Sequence, residues 1–135
     1  MPLVVVDAST VVAALVDTGP DGRWAEQVLL SGDLAAPHLL PAEVGNVLRR
    51  AVLAGQISAD VAALAHADLQ SLRIDLFPYE PFADRIWGLR ANVTAYDAWY
   101  VTLAELLDCP LATLDVRLAR APGVKCEVTL PVARI

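Results

Sequence analysis

Four acidic residues of this sequence stand where a divalent cation could be held: Asp7, Glu43, Asp97 and Asp115. Their oxygens are the ligands that Mg²⁺ and Mn²⁺ prefer in proteins. Four carboxylates close together repel one another and their titrations couple, a conflict that a divalent cation relieves. A cation held in this way can polarise a phosphoryl oxygen and activate water, so an acid-only site suits phosphodiester hydrolysis.

Two of these acids end apolar, β-branched runs. Asp7 follows LVVV and Asp115 follows LATL. Each could simply cap the helix that follows it. Ser9 and Thr10, however, can also cap the helix after Asp7, so that role does not require the carboxylate. Parallel strands would bring Asp7 and Asp115 to the same edge of a sheet.

The other two acids lie in the first turns of predicted helices. Glu43 follows Pro41, where a carboxylate interacts well with the helix dipole. Asp97 follows the capping residue Thr94, and its helical stripe continues inward with apolar residues. Burying a carboxylate without a partner is costly, and this stripe offers neither Lys nor Arg. Asp97 is therefore the strongest single indication of a bound cation.

Strand and helix patterns alternate along the chain, which predicts an α/β domain with a mostly parallel sheet and helices on both faces. Ligands bind such sheets at the carboxyl ends of the strands. Residues 17–22 read as a loop, and Trp24, Trp87 and Trp99 are expected in the core. The predicted strands are 3–6, 34–37, 73–77, 110–115 and 126–130. The first predicted helix follows a cap at Ser9 or Thr10 and runs through about residue 16, and the other predicted helices are 23–31, 41–55, 58–72, 81–90, 94–107 and 116–120.

The composition predicts one domain over residues 1–135 and a reducing cytosolic location. The chain is 56% hydrophobic, with a mean hydropathy of +0.50. Its apolar runs are far shorter than the roughly 18 residues of a membrane span, and no signal peptide is recognisable. Cys109 and Cys126 are expected to be free thiols. The net charge of −6 argues against a general nucleic-acid binder but not against a nuclease, because metal cancels acidic charge at its site.

In order and spacing, VVVDAST, LPAEVGNVLRR, TAYDAWYVTLAE and LATLDVRLAR resemble the motifs of PIN-domain ribonucleases. The likeness is greatest to the VapC toxins of bacterial type II toxin–antitoxin pairs. It covers essentially the whole chain. The resemblance implies a three-layer α/β/α sandwich with about five strands. It also implies an endoribonuclease dependent on Mg²⁺ or Mn²⁺, acting on tRNA or rRNA.

Carried over residue by residue, the resemblance places the metal-binding and catalytic acids of the family on Asp7, Glu43, Asp97 and Asp115. The hydroxyl residues near the first and last acids fall on Ser9 and Thr113, and Asn46 is a further candidate beside the site. The resemblance implies a VapB antitoxin whose C-terminal segment lies in an apolar groove. It also implies a homodimer that joins the antitoxin in a heterotetramer or larger assembly. Cationic contacts to RNA are expected from Arg49, Arg50, Arg117 and Arg120.

Other classes of protein fit the residues less well. A haloacid-dehalogenase-type phosphatase needs a second Asp where this chain has Ser9. A receiver domain needs an acidic pair on strand one, a phospho-accepting Asp in mid-chain and a late Lys; the only Lys is Lys125, and the rest is absent. A Ser9–His38 hydrolytic pair lacks an orienting acid and an elbow motif. His38 and His66 are expected to be structural or surface residues. The remaining alternative is a PIN module that binds other proteins without catalysis.

Overall fold

The computed structural model describes residues 2–134, in which parallel strands alternate with helices. Elements are numbered in chain order, and short 3-10 turns cover Glu80–Phe82 and Val132–Arg134. The strands are β1 Leu3–Val6, β2 Asp33–Pro37, β3 Ile74–Phe77, β4 Leu111–Ala112 and β5 Val128–Thr129. The helices are α1 Ala8–Val16, α2 Pro20–Leu30, α3 Leu40–Leu53, α4 Ala59–Ser71, α5 Ala83–Gly88, α6 Ala95–Leu107 and α7 Val116–Arg120.

Within this described chain the five strands form one sheet in the order β3-β2-β1-β4-β5, and every pair is parallel. Strand β1 is central, and its residues 4–6 are buried, as its continuous β-branched run predicts. Helix α6 packs against β1, β2 and β4, while α1 packs against α2, α3 and α4. The predicted α/β/α sandwich is therefore confirmed.

Two neighbouring parallel strands, β1 and β4, carry Asp7 and Asp115 toward the same edge of the sheet. Val5 and Val6 of β1 pair with Leu111 and Ala112 of β4. The two chains leave the sheet in the same direction, because parallel strands share a carboxyl edge. Asp7 follows β1 directly, and Asp115 lies three residues beyond β4.

The starts of α1 and α2 differ from the prediction. Asp7, rather than Ser9 or Thr10, is the N-cap of α1, because its carboxylate accepts the backbone N–H of Thr10. Helix α2 begins at Pro20, inside the predicted loop, since proline is preorganised for the first helical turn. Thr94 and Ser58 cap α6 and α4 as predicted.

Other boundaries moved because tertiary pairing sets them. The predicted strands at 110–115 and 126–130 each contain only two paired residues. The predicted helix at 81–90 is a 3-10 turn followed by the short α5. Trp24 and Trp99 pack partly buried against the core, but Trp87 is 66% exposed, with the Arg90 guanidinium 4.5 Å from its ring centroid. The core prediction for Trp87 was wrong.

No helix between residues 2 and 134 combines the length and the apolarity needed to cross a membrane. Cys109 and Cys126 are free and partly buried, as expected.

Candidate active site at the carboxyl edge of the sheet

The Asp7 carboxylate accepts hydrogen bonds from α1 and from the segment that follows β4. Its Oδ1 accepts the Ser9 hydroxyl at 2.7 Å and the Thr10 N–H at 3.1 Å. Its Oδ2 accepts the hydroxyl of Thr113, which lies just past β4, at 2.5 Å. Burial raises the pKa of Asp7, and the hydrogen bonds from Ser9, Thr113 and Thr10 offset part of that rise.

The same hydroxyls join Asp7 to the segment that carries Asp115. Ser9 Oγ accepts the Leu114 N–H at 3.1 Å, and Thr113 Oγ1 accepts the Asp115 N–H at 3.0 Å. Thr113 is fully buried. The ends of β1 and β4 are therefore joined by one hydrogen-bond network, and removal of either hydroxyl would alter the positions of both acids.

Asp115 caps α7 and pairs with Arg117. Its Oδ1 accepts the Arg117 N–H at 3.0 Å and the Arg117 Nε at 3.2 Å. The Arg117 side chain is 92% exposed, so this pair contributes little to stability. The pair places the Arg117 guanidinium beside the Asp115 carboxylate.

Glu43 is held by a tyrosine of α6. The Tyr100 hydroxyl donates to Glu43 Oε1 at 2.6 Å. Burial raises the pKa of Glu43; the Tyr100 hydrogen bond counteracts it, while the charges of Asp97 and Asp7 raise it further. The Tyr100 ring is almost completely buried, and its phenol pKa is raised by burial and by these same carboxylates.

The pKa of Asp97 responds to the charges of two other acids at this edge. Burial raises its pKa, and the charges of Asp115 and Asp7 raise it further. Arg117 and the Thr94 hydroxyl act in the opposite direction. Since the charges of Asp97 and Asp7 also raise the pKa of Glu43, the carboxylates at this edge act on one another electrostatically.

The side chains as placed do not form a ready-made cage for a metal ion. Among residues 2–134, no three acidic, histidine or cysteine side chains converge closely enough to hold one. Asp7, Glu43 and Asp115 are each engaged by protein donors. The donor chemistry nevertheless fits Mg²⁺, which keeps several waters and is commonly bound through only one or two carboxylates.

The remaining predicted residues fall in different places. Asn46 is exposed and lines a depression with Glu43. Arg117 lines a second depression with Asp97 and Asp115. Arg49 instead lines the groove between α3 and α4, which it shares with His66. The side chains of Arg50, Arg120 and His38 are exposed.

Sequence reasoning did not assign a role to two tyrosines at the site. Tyr100 is the hydrogen-bond donor to Glu43, and Tyr96 lines the depression that contains Glu43 and Asn46. Tyr100 lies one helical turn after Asp97, so its spacing offered a signal. Its partner is 57 residues away in the sequence, and that contact is visible only in the fold.

The family model for the PIN domain matches residues 4–124. Ribonuclease VapC1 of Mycobacterium tuberculosis is 48% identical over 127 residues, which cover 93% of this chain and 96% of that protein. The chain belongs to the PIN-domain family, among the VapC proteins. Ribonuclease VapC9 of the same organism is 37% identical over 128 residues, covering 95% of this PIN domain and 98% of that protein.

Solved structures share the fold of this PIN domain at low sequence identity. PAE2754 from Pyrobaculum aerophilum superposes with a TM-score of 0.72 at 22% identity, covering 98% of this chain and 87% of that one. VapC20 of Mycobacterium tuberculosis, a toxin that cleaves the sarcin–ricin loop, superposes with a TM-score of 0.67 at 13% identity. That match covers 90% of this chain and 96% of VapC20.

Proposed function

We propose that this PIN domain is a Mg²⁺-dependent endoribonuclease and the toxic component of a VapBC pair in the bacterial cytoplasm. The observation that carries the proposal is the coupled group of Asp7, Glu43, Asp97 and Asp115 at the carboxyl edge of the sheet. The names of the relatives, ribonucleases of the VapC group, support it. Structured RNA such as tRNA or rRNA is the proposed substrate class.

The metal ligands in this proposal are Asp7 and Asp97, with Glu43 and Asp115 completing the site directly or through water. Mn²⁺ has the same ligand preferences and could replace Mg²⁺. A bound divalent cation would polarise a phosphoryl oxygen and lower the pKa of a water molecule. The repulsion among the carboxylates favours such a cation, because it would neutralise charges that now raise one another's pKa.

The protein's own residues would position these acids. Ser9 and Thr113 hold the Asp7 carboxylate from two sides, and Tyr100 holds that of Glu43. Outer hydrogen bonds of this kind orient ligands and commonly matter 10- to 100-fold for activity or metal affinity, as an order of magnitude. Glu43 or Asp115 would orient the attacking water.

Phosphates of the RNA need cations around an otherwise acidic site. Arg117 meets this need best, because it lines the depression that contains Asp97 and Asp115. Arg50 and Arg120 are exposed and free to contribute to more distant phosphates. Arg49 lies in the groove between α3 and α4, a place that fits a protein partner better than the scissile phosphate.

That groove supports a VapB antitoxin as partner. It has a volume of about 530 Å³ and a mainly apolar lining that includes Leu48, Val52 and Leu53. Leu53 is 72% exposed, a cost that an amphipathic segment of a partner would remove. The homodimer and the heterotetramer or larger assembly with antitoxin are part of the same proposal.

The test compares two aspartates that each lie in the first turn of a capped helix. Asp97 and Asp60 both lie in the first turn of a helix with a side-chain cap, Thr94 and Ser58 respectively. We expect Asp97→Asn to lower Mg²⁺-dependent cleavage of tRNA and rRNA by more than about 100-fold. Asp60→Asn should cleave like the unchanged protein, and EDTA should stop both active proteins.

A second readout separates catalysis from folding. Mg²⁺ should raise the melting temperature of the unchanged protein and of Asp60→Asn, but not of Asp97→Asn, because a cation stabilises the folded protein only if the folded protein binds it. Full cleavage by Asp97→Asn would refute the four-acid mechanism. An unchanged protein that binds antitoxin but cuts no RNA with Mg²⁺ or Mn²⁺ would establish the non-catalytic binding module instead.

A further inference from the structure

An open depression lies directly beside the carboxylate group, and we call it the Tyr96 pocket. Its volume is about 280 Å³. Helix α3 supplies one wall and the first turn of α6 supplies the other. Tyr96, which belongs to that turn, directly precedes Asp97 in the sequence. The lining residues are Leu39, Ala42, Glu43, Asn46 and Tyr96.

The Tyr96 ring is available to a ligand. Its side chain is 61% exposed, and within residues 2–134 it has neither a hydrogen bond nor a ring contact. The other two tyrosines are engaged: Tyr100 with Glu43, and Tyr79 edge-on with Trp99 at 5.3 Å between centroids. A free aromatic face is a sequence-tolerant platform for a base, since every base has a π face.

The rest of the pocket matches the edge and the apolar face of a flat neutral group. Asn46 is exposed and lies one helical turn after Glu43, so its amide presents a donor and an acceptor beside the ring. Leu39 and Ala42 supply apolar surface. An anion would be repelled here by Glu43, whereas an uncharged heteroaromatic group would not.

A second depression contains Asp97, the residue that follows Tyr96 in α6. Thr94, Asp115 and Arg117 also line it, and the exposed Arg117 guanidinium is paired with Asp115. Two carboxylates line this depression with one guanidinium, so a phosphate would bind here together with a divalent cation that neutralises them. Because Tyr96 and Asp97 are consecutive residues, a base on Tyr96 would lie next to the proposed metal site.

We propose that the Tyr96 pocket binds one unpaired nucleobase next to the scissile phosphate, stacked on Tyr96 and hydrogen-bonded at its edge by Asn46. This inference rests on the proposed ribonuclease function and names the part of the substrate that the site reads. An unpaired base is required, because a base inside a helix has no free face for the ring.

The test is binding of fluorescein-labelled RNA octamers of A, C, G or U, followed by anisotropy. Ca²⁺ replaces Mg²⁺ as an oxygen-liganded cation, and each strand's length is checked by gel after titration. We expect Tyr96→Ala to weaken binding about 10-fold, since stacking of one base on an aromatic side chain is typically worth a factor of roughly 5 to 150. Tyr96→Phe, which keeps the ring, should stay within about three-fold of the unchanged protein.

The controls separate stacking from general loss of surface. Trp87→Ala removes another exposed ring, one that lines neither depression, and should leave binding unchanged. An abasic octamer should bind the unchanged protein and Tyr96→Ala equally. Asn46→Ala should alter the ranking of the four octamers. Equal losses for Tyr96→Ala and Trp87→Ala, or an undiminished Tyr96→Ala loss on the abasic strand, would overturn the pocket.

Cleavage assays distinguish this failure from failure of the proposed function. If the unchanged protein cuts RNA and Tyr96→Ala cuts it with the same KM and base preference, the pocket is refuted and the ribonuclease stands. If Asp97→Asn remains fully active while Tyr96→Ala loses octamer binding, the acid mechanism is refuted and the base pocket stands. An unchanged protein that neither binds nor cuts RNA refutes both.

Discussion

Thr113→Val tests whether the hydroxyl beneath Asp7 positions the acidic group. Valine keeps the shape of threonine, so packing is little altered at this fully buried position. Two hydrogen bonds are lost: the one donated to Asp7 Oδ2 and the one accepted from the Asp115 N–H. The change thus removes a hydroxyl that is hydrogen-bonded to both strand-end acids.

The expected cost follows from those two bonds. A hydrogen bond to a carboxylate contributes about 1.5–3 kcal/mol and an ordinary one about 1 kcal/mol, so we expect a loss of about 2.5–4 kcal/mol in unfolding free energy. For a chain of 135 residues, this corresponds to a fall of roughly 8–15 °C in melting temperature. Because Asp7 loses one of its fixed partners, cleavage should fall a further ~10- to 100-fold under conditions where the variant is folded.

The assays are urea denaturation and Mg²⁺ titration of RNA cleavage at a temperature well below both melting points. Thr113→Ser keeps the hydroxyl and should restore most of the activity. Thr102→Val is a matched control, because Thr102 is equally buried and its hydroxyl has no hydrogen-bond partner within the described chain. That substitution should leave stability unchanged or improve it, with full activity.

Equal effects of Thr113→Val and Thr102→Val would refute the reasoning, since both remove one buried hydroxyl and only one has partners. Full cleavage by Thr113→Val at the usual Mg²⁺ concentration would show that Asp7 does not depend on this contact for its position.

Two further predictions concern the frame that carries the site. Burial alone would raise the pKa of Glu105, but Arg85, bonded through Nε at 2.8 Å, and a backbone N–H lower it below its ordinary 4.5. The charged Glu105 therefore stabilises the fold above about pH 4.5, and this contribution is lost as the pH falls through the folded-state pKa. In Glu105→Gln, the unfolding free energy should fall less steeply as the solution is acidified. The same steepness in both proteins would contradict this. Gly22→Ala should lower the melting temperature by several degrees in differential scanning calorimetry, because an added Cβ would lie 1.7 Å from a backbone oxygen. The control, Gly45→Ala, places its Cβ in open space and should raise the melting temperature slightly. Similar melting temperatures for the two variants would argue against a close α1–α2 contact.

Much of the fold was predictable because local patterns and tertiary structure agree. The continuous apolar run at Leu3–Val6 is buried in the centre of a parallel sheet, as such runs predict. Thr94 and Ser58 cap their helices through hydrogen bonds to residues only three positions away. Such local contacts can be predicted from the sequence alone. The four acids were chosen on similar grounds, from their places at strand ends and in first helical turns.

The tertiary structure decided what no local pattern contains. The contacts of Thr113 with Asp7 and of Tyr100 with Glu43 span 106 and 57 residues, so they exist only once β1, β4, α3 and α6 have packed. The lengths of β4 and β5 were likewise set by pairing rather than by propensity. Sequence by itself determined which side chains could do chemistry at one edge of a sheet. Folding decided which oxygens are already occupied, because hydrogen bonds between distant segments depend on distances that spacing along the chain does not determine.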